Sequence, residues 1–106
     1  MVYRHIVMFK LVEFASENEK YEKFMEIRNA LETLMDKIDF LRGIRVSYNK
    51  NPAEHWDICL ENDLDSLEDI KAYGAHPAHQ AIVKKIIKPA IVDRACVDYQ
   101  YEKDND

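Results

Sequence analysis

In an extended strand of residues 3–11, YRHIVMFKL, successive side chains point to opposite faces, and both faces carry apolar side chains. Val7 and Phe9 lie on one face of such a strand, and Ile6 and Met8 lie on the other. Both faces of this strand therefore need a cover. A chain of 106 residues can build only one modest core. We expect its own helices to cover one face of the sheet and a second copy of the chain to cover the other.

The next segment is predicted to be a helix that packs on this strand. Ser16 precedes Glu19 by three residues, which is the spacing of a capping box at a helix start. Apolar side chains then recur at helical spacing and form one stripe. The stripe consists of Phe24, Ile27, Leu31, Leu34, Met35 and Ile38.

Two alternating segments joined by a turn-rich loop predict a β-hairpin in the middle of the chain. Residues 44–48, IRVSY, and residues 55–61, HWDICLE, alternate between apolar and polar side chains. The loop between them contains Asn and Pro, which favour turns. His55 and Asp57 fall on the polar face of the second segment, so we expect both to be solvated or to lie at the rim of a dimer.

The segment DSLEDIKAYG, residues 65–74, predicts a second, short helix. Asp65 is expected to cap its start, and Leu67 and Ile70 are expected to point inward. Gly74 is expected to end the helix in the left-handed conformation that glycine adopts without strain.

Pro77 follows His76 and starts another helix, because proline at the first helical position loses no hydrogen bond. The last strand, VDRACVDYQY at residues 92–101, places Cys96 and Asp98 on the face opposite its aromatic side chains. The inward residues of the restarted helix are predicted to be Ala78, Ile82, Val83 and Ile86.

The order strand, helix, strand, strand, helix pair, strand predicts the α+β fold class, with a ferredoxin-like β-α-β-β-α-β sheet. Its helices lie on one face, and two copies that meet through the other face form a dimeric α/β barrel. We expect a single domain over residues 1–102, followed by a frayed, charged tail at residues 103–106.

Composition and charge argue against several partners. A net charge of -5 disfavours nucleic acid and anionic membranes, which bind basic surfaces. No segment approaches the roughly 18 apolar residues of a membrane span. Cys59 and Cys96 belong to no C-x-x-C motif, so they are expected to be reduced core thiols of a cytoplasmic protein.

Three segments resemble the stress-responsive A/B barrel domain (Dabb) family. They are RHIVMFK at residues 4–10, AYGAHPAHQ at residues 72–80 and CVDYQY at residues 96–101. The predicted helix and hairpin fall between them in the expected order, so the resemblance covers nearly the whole chain. It implies a homodimer in which two sheets close a barrel with the helices outside. Most members of the family have no known reaction.

A few relatives in this family, the plant polyketide cyclases, use a tyrosine and a histidine from this same segment. By this resemblance Tyr73 is the tyrosine, His79 is the base, and His5 with Asp98 is a supporting polar pair. Ile27 stands where a cyclase has a polar aromatic residue, so the same substrate is not implied. By this resemblance Val7 and Phe24 line an apolar wall, and Phe9, Ile27 and His76 are further candidates for contact with a substrate.

These residue types fit proton transfer. A neutral imidazole accepts a proton near neutral pH, and the Tyr73 hydroxyl is suited to donate a hydrogen bond to an enolate oxygen. The alternative interpretation makes His76 a helix cap, His79 a surface residue and Tyr73 a core residue. His5 and Asp98 are expected on neighbouring strands, buried and hydrogen-bonded to each other.

A metal site built from His76, His79 and a nearby acid is a weak signal, because it lacks cysteine or clustered carboxylate ligands. We therefore predict neither a metal nor a cofactor.

Two function classes stay open. One is a small cofactor-free enzyme, cyclase-like or lyase-like, that acts on an apolar carbonyl or polyketide-like molecule. The other is a non-catalytic dimeric module whose pocket is filled by its own side chains. Monooxygenase chemistry on the same barrel has no specific support in the sequence. A cavity beside Tyr73 and His79 separates the first two classes.

Overall fold

The computed structural model of the protein describes residues 1–102, and the tail expected at residues 103–106 lies outside the described residues. The strands are β1 (Val2–Leu11), β2 (Gly43–Tyr48), β3 (Ile58–Leu64) and β4 (Ile91–Tyr101). The α-helices are α1 (Glu17–Glu32), α2 (Leu34–Lys37), α3 (Leu67–Ala75) and α4 (Pro77–Ile82). Within residues 1–102, no helix is both long and apolar enough to cross a membrane.

The four strands form one antiparallel sheet in the order β2-β3-β1-β4. β1 is central because it pairs with both β3 and β4, so the first and last strands of the chain are neighbours. This is the predicted ferredoxin-like β-α-β-β-α-β arrangement, and the prediction of fold class is confirmed.

The two faces of β1 have different covers. Val7, Phe9 and Leu11 are buried under the helices and belong to the core. On the opposite face Ile6 and Met8 are only partly buried. β4 continues that open face with Val97 and Tyr99, which are 51% and 42% exposed. In a single chain the sheet is therefore open on one side and does not close into a barrel.

The start of α1 forms as predicted, because the Ser16 hydroxyl accepts a hydrogen bond from the Glu19 amide at 3.2 Å. Its end differs from the prediction. The chain turns at Thr33, whose hydroxyl donates to the Ala30 carbonyl at 2.6 Å, and α2 begins at the next residue. The turn leaves Met35 39% exposed, whereas the rest of the apolar stripe is buried.

The cap predicted for α3 was wrong by one residue. The Ser66 hydroxyl accepts from the Asp69 amide at 3.0 Å and is the cap. Asp65 instead forms an ion pair with Arg42, with 2.8 Å between the guanidinium and carboxylate atoms. Leu67 was predicted to point inward but is 58% exposed.

Gly74 does not end α3 in a left-handed conformation. The helix continues to Ala75, and no glycine in the described part of the chain has a positive φ. After α4 the chain widens into a π-helical turn, Val83–Ile87, and then a 3₁₀ turn, Lys88–Ala90. A π turn holds one extra residue, so Ile87 rather than Ile86 is fully buried.

The hairpin and the cysteines also differ from the sequence predictions. Asp57 precedes β3 and is buried, so it is not on a solvated face, while His55 is exposed. Cys59 is half-buried on the open face and Cys96 is exposed. Neither cysteine is a core residue in the single chain.

Candidate functional site

The pairing of β1 with β4 places His5 directly opposite Asp98. His5 Nδ1 lies 2.5 Å from Asp98 Oδ1, so the predicted hydrogen bond is present. The predicted burial holds only for the imidazole, since 13% of the His5 side chain and 33% of the Asp98 side chain are exposed. The carboxylate is exposed because β4 is an edge strand.

The break between α3 and α4 brings Tyr73 and His79 together. Tyr73 lies in α3 and His79 lies in α4, and their ring centroids are 4.6 Å apart at an angle of 56°. Tyr73 is 1% exposed. The Tyr73 hydroxyl and His79 Nδ1 are both buried, and neither has a hydrogen-bond partner among the described residues. Burial without a partner is costly for such polar groups, so they need an explanation.

His76 holds this break in place. Its Nδ1 accepts a hydrogen bond from the Ala78 amide at 3.1 Å and caps the start of α4, directly before Pro77. The Gly74 carbonyl at the end of α3 accepts from the Gln80 side chain at 2.6 Å. The segment therefore changes direction through two local hydrogen bonds.

The surroundings shift the pKa values of both rings in the direction that favours neutral forms. Burial raises the pKa of Tyr73 well above its usual range, so the hydroxyl keeps its proton. Burial also lowers the pKa of His79; the nearby Gly74 carbonyl acts in the opposite direction, and the neighbouring basic side chains of His5, Arg94 and His76 add smaller lowering contributions. At neutral pH the pair is a protonated phenol beside a neutral imidazole.

A cavity of about 460 Å³ lies between the sheet and the helices beside this pair. Of the residues predicted around a substrate, Val7 and Phe9 line it. Phe24 and Ile27 are core residues that do not line it, and His76 caps α4 outside it. The lining residues that carry polar or charged groups are His5, Lys71, His79, Lys88 and Arg94.

The predicted catalytic residues occupy two positions around this cavity. His5 and His79 are part of its wall, whereas Tyr73 and Asp98 each stand behind one of these histidines. The His5 and Tyr73 rings are also close, with centroids 6.4 Å apart. The four residues predicted from the sequence thus form one continuous group.

Two polar residues of this group were not recognised in the sequence. Asn62 is fully buried opposite His5, and its amide donates to the His5 carbonyl at 3.4 Å. Cys96 Sγ lies 3.5 Å from His5 Nδ1 and 3.9 Å from Asp98 Oδ1. The signal for Cys96 was its spacing of two residues from Asp98, which puts both side chains on one face of β4.

The metal candidate considered in the sequence is not assembled. Among residues 1–102, the His, Cys and acidic side chains that lie close enough to share one ion are His5, Cys96 and Asp98. His76 and His79 do not belong to such a group.

A second buried polar site lies where β1 ends. Asp57 accepts from the Leu11 amide at 2.8 Å, and its carboxylate pairs with Lys20 at 2.8 Å and Lys10 at 3.5 Å. Burial alone raises the pKa of Asp57, but the hydrogen bonds from Lys20 and Leu11 outweigh it, so the pKa lies below its usual range.

Comparisons with solved structures agree with this fold. A dimeric protein of unknown function with a ferredoxin-like fold from Bacteroides fragilis is 40% identical, with a TM-score of 0.85 over 94% of this chain and 96% of that chain. A dimeric ferredoxin-like protein from Thermobifida fusca is 26% identical, with a TM-score of 0.78 over 95% of this chain and 92% of that one.

A hydroxynitrile lyase from Passiflora edulis shares the fold at 16% identity, with a TM-score of 0.76 over 97% of this chain and 95% of that chain. No curated protein matches the chain. The model of the Stress responsive A/B Barrel Domain matches residues 3–101, nearly the whole chain. The protein therefore belongs to the stress-responsive A/B barrel domain family.

Proposed function

We propose that this protein is a homodimer that binds a small apolar carbonyl compound in the cavity beside His79 and transfers a proton to and from it. The observation that carries this proposal is that the adjacent rings of Tyr73 and His79 each hold a buried polar atom, the Tyr73 hydroxyl and His79 Nδ1, without a hydrogen-bond partner among the described residues. A ligand oxygen that accepts from the tyrosine supplies the missing partner. The apolar wall formed by Val7, Phe9 and Leu60 favours a hydrocarbon body for that ligand.

The proton transfer follows from the protonation states. The neutral imidazole of His79, which lines the cavity, takes a proton from the carbon next to the carbonyl group. The electron pair moves to the carbonyl oxygen and creates an enolate. The Tyr73 hydroxyl donates a hydrogen bond to that oxygen and stabilises its negative charge. Return of the proton from His79 completes the cycle.

His5 and Asp98 support this site from the strand side. The carboxylate fixes the His5 ring orientation through Nδ1, and the ring forms part of the cavity wall. A fixed ring keeps the cavity shape constant and places a second polar group near the ligand.

The dimer is proposed from the open face of the sheet. Ile6, Met8, Val97 and Tyr99 form an apolar surface on that face, and such a surface calls for a cover. The relatives at 40% and 26% identity are described as dimeric. An isologous contact through this face leaves the cavity on the opposite, helix side of each subunit.

A non-catalytic dimer is the second candidate, and one observation favours it. Tyr73 is 1% exposed and stands behind the cavity wall, so a ligand reaches its hydroxyl only after a shift of the neighbouring side chains. If that shift does not occur, the tyrosine is a core residue and the cavity has no reactive group except His79.

Hydrogen exchange separates the two candidates. Aliphatic and aromatic ketones and aldehydes are incubated with the protein in D₂O, and deuterium at the carbon next to the carbonyl is followed by NMR. We expect exchange above the buffer rate in the wild type and its loss in His79→Ala. Tyr73→Phe should slow exchange by roughly 100-fold, as expected for the loss of one oxyanion donor.

His55→Ala is the matched control, since this histidine is exposed and does not line the cavity. It should keep the exchange rate of the wild type. Exchange at the buffer rate with every compound would reject the proposal in favour of the non-catalytic dimer. Light scattering tests the assembly separately, and a monomer mass at micromolar concentration would contradict the dimer.

We also infer a single domain over residues 1–102 and a cytoplasmic location without nucleic-acid partners. The free thiols of Cys59 and Cys96 support a reducing compartment, and the net charge of -5 supports the absence of nucleic acid. We expect the protein to keep its function in the cytoplasm and to lose it when it is exported to an oxidising compartment.

A further inference from the structure

We propose that His5, Cys96 and Asp98 form a binding site for one zinc ion at the edge of the sheet. The proposal goes beyond the proposed proton transfer and does not depend on it. It uses three side chains of different chemistry that two strands bring to one point.

Strand register explains why these side chains meet. Asp98 pairs with His5 across the antiparallel strands β1 and β4, and Cys96 pairs with Val7, two residues later in β1 and two residues earlier in β4. Residues two apart on a strand project to the same face, so Cys96 is the diagonal neighbour of His5. The backbone of a paired sheet is rigid, and it fixes the three Cβ positions before any ion arrives.

The distances between the donor atoms fit a zinc site after one adjustment. Zinc bonds of about 2.0 Å to nitrogen and oxygen and about 2.3 Å to sulfur place the ligand atoms of a tetrahedron roughly 3.3 to 3.6 Å apart. Cys96 Sγ is 3.5 Å from His5 Nδ1 and 3.9 Å from Asp98 Oδ1. The Nδ1 to Oδ1 distance of 2.5 Å has to lengthen, because these atoms now share a hydrogen bond.

That adjustment is small because Asp98 is exposed on an edge strand. A rotation of its side chain moves the carboxylate oxygen away from Nδ1 without a change in the backbone. On binding, the Cys96 thiol gives its proton to solvent. The His5 proton shifts from Nδ1 to Nε2, so that the ion takes the place of the hydrogen bond.

The donor set selects the metal. A thiolate and an imidazole favour zinc over magnesium or calcium, which prefer oxygen ligands. Three protein ligands leave the fourth position of a tetrahedral zinc ion open. His5 also lines the cavity, so an ion held by its Nδ1 lies beside the cavity wall.

The site is accessible in both the single chain and the proposed dimer. Cys96 and Asp98 are exposed, and they lie on the helix side of the sheet, opposite the open face that we assign to the dimer contact. Ions can therefore enter from solvent without subunit dissociation.

Titration of the full chain with Co²⁺, followed by displacement with Zn²⁺, tests the proposal. Cobalt bound to a thiolate gives a ligand-to-metal charge-transfer absorption in the near ultraviolet, and we expect this band to saturate at one ion per chain. Cys96→Ser should abolish the band and weaken zinc binding by about 100-fold or more in calorimetry, since it removes a direct ligand. His5→Ala should weaken zinc binding to a similar extent.

Two control variants make the test specific. Cys59→Ser removes the other thiol, and His55→Ala removes the histidine of the other His–Asp pair, in which His55 Nε2 lies 3.0 Å from Asp93 Oδ2. Both should keep the cobalt band and the zinc affinity. Absence of the band in the folded wild type overturns the proposal. A band that disappears in Cys59→Ser but persists in Cys96→Ser overturns it as well.

Discussion

Asp57 and the Tyr73–His79 pair both bury polar groups, and they do so in opposite ways. Asp57 is surrounded by partners, because the Leu11 amide and two lysine side chains contact its carboxylate. The rings of Tyr73 and His79 are adjacent, and the Tyr73 hydroxyl and His79 Nδ1 are buried with no partner among the described residues. The two sites differ in whether the chain completes their hydrogen bonds.

The difference separates a structural site from a site that awaits a ligand. A buried polar group with all its partners contributes to stability, whereas one without partners costs free energy that a ligand can return. Asp57 holds the end of β1 against the residues before β3. His79 lines a cavity and Tyr73 stands behind it, and their unmet hydrogen bonds are of use only if a molecule enters that cavity.

The largest effect is expected at Asp57. Asp57→Ala leaves the Leu11 amide without an acceptor and Lys20 without its counterion, and it should lower the free energy of unfolding by about 3 kcal/mol. Urea denaturation at pH 7 measures this loss. A loss below about 0.5 kcal/mol, typical of a surface substitution, would contradict the structural role.

The contribution of Asp57 to stability should depend on pH. A carboxylate with a lowered pKa stabilises the native state above its unfolded pKa of about 4, and this contribution disappears as the pH falls through the folded value. The stability difference between wild type and Asp57→Ala should therefore shrink below about pH 4. Asp57→Asn keeps an acceptor for the Leu11 amide but carries no charge, so its stability at pH 7 should lie between those of the wild type and Asp57→Ala.

The lysines around Asp57 should contribute unequally. Lys20 Nζ lies 2.8 Å from the carboxylate and Lys10 Nζ lies 3.5 Å away, and both side chains are partly exposed. We expect Lys20→Ala to cost about 1 kcal/mol and Lys10→Ala a few tenths, because exposed ion pairs are weak. Equal costs from the two variants in the same urea assay would show that distance does not decide the contribution.

The contrast between these sites was only half visible in the sequence. Alternation and capping signals predicted the strand order, the α1 cap at Ser16 and the pairing of His5 with Asp98, because these depend on local spacing and register. The alternation in HWDICLE predicts a strand that includes Asp57 and places it on a solvated face. The strand starts at Ile58, and the Leu11 amide beyond the β-bulge at Lys10 and Leu11 needs an acceptor.

Tertiary contacts account for the other differences at the helix ends. Asp65 pairs with Arg42, so the cap passes to Ser66. The Gly74 carbonyl accepts from Gln80 within a right-handed helix, which removes any need for a left-handed residue. Sequence patterns within one helix do not show which hydrogen-bond or ion-pair partner a residue finds outside that helix. For the same reason the position of Cys96 beside His5 appears only once the strands are paired.

The pH dependence of stability should show that His79 is buried in its neutral form. Its folded pKa is lower than the ordinary value near 6.5, so the unfolded chain takes up a proton first as the pH falls. The native state should therefore lose stability as the pH falls below about 6.5, down to the folded pKa. His79→Gln should flatten this part of the profile.

The smallest effect on stability is expected from Tyr73→Phe, and it tests the comparison most directly. The substitution removes a hydroxyl that is buried without a partner and leaves the ring packed, so the melting temperature should stay the same or rise. Binding of carbonyl compounds should weaken at the same time, because the hydrogen-bond donor is gone. A clear fall in the melting temperature would mean that the hydroxyl already has a partner in the folded protein. Tyr73 would then resemble Asp57, and the cavity would lose the group that singles it out as a ligand site.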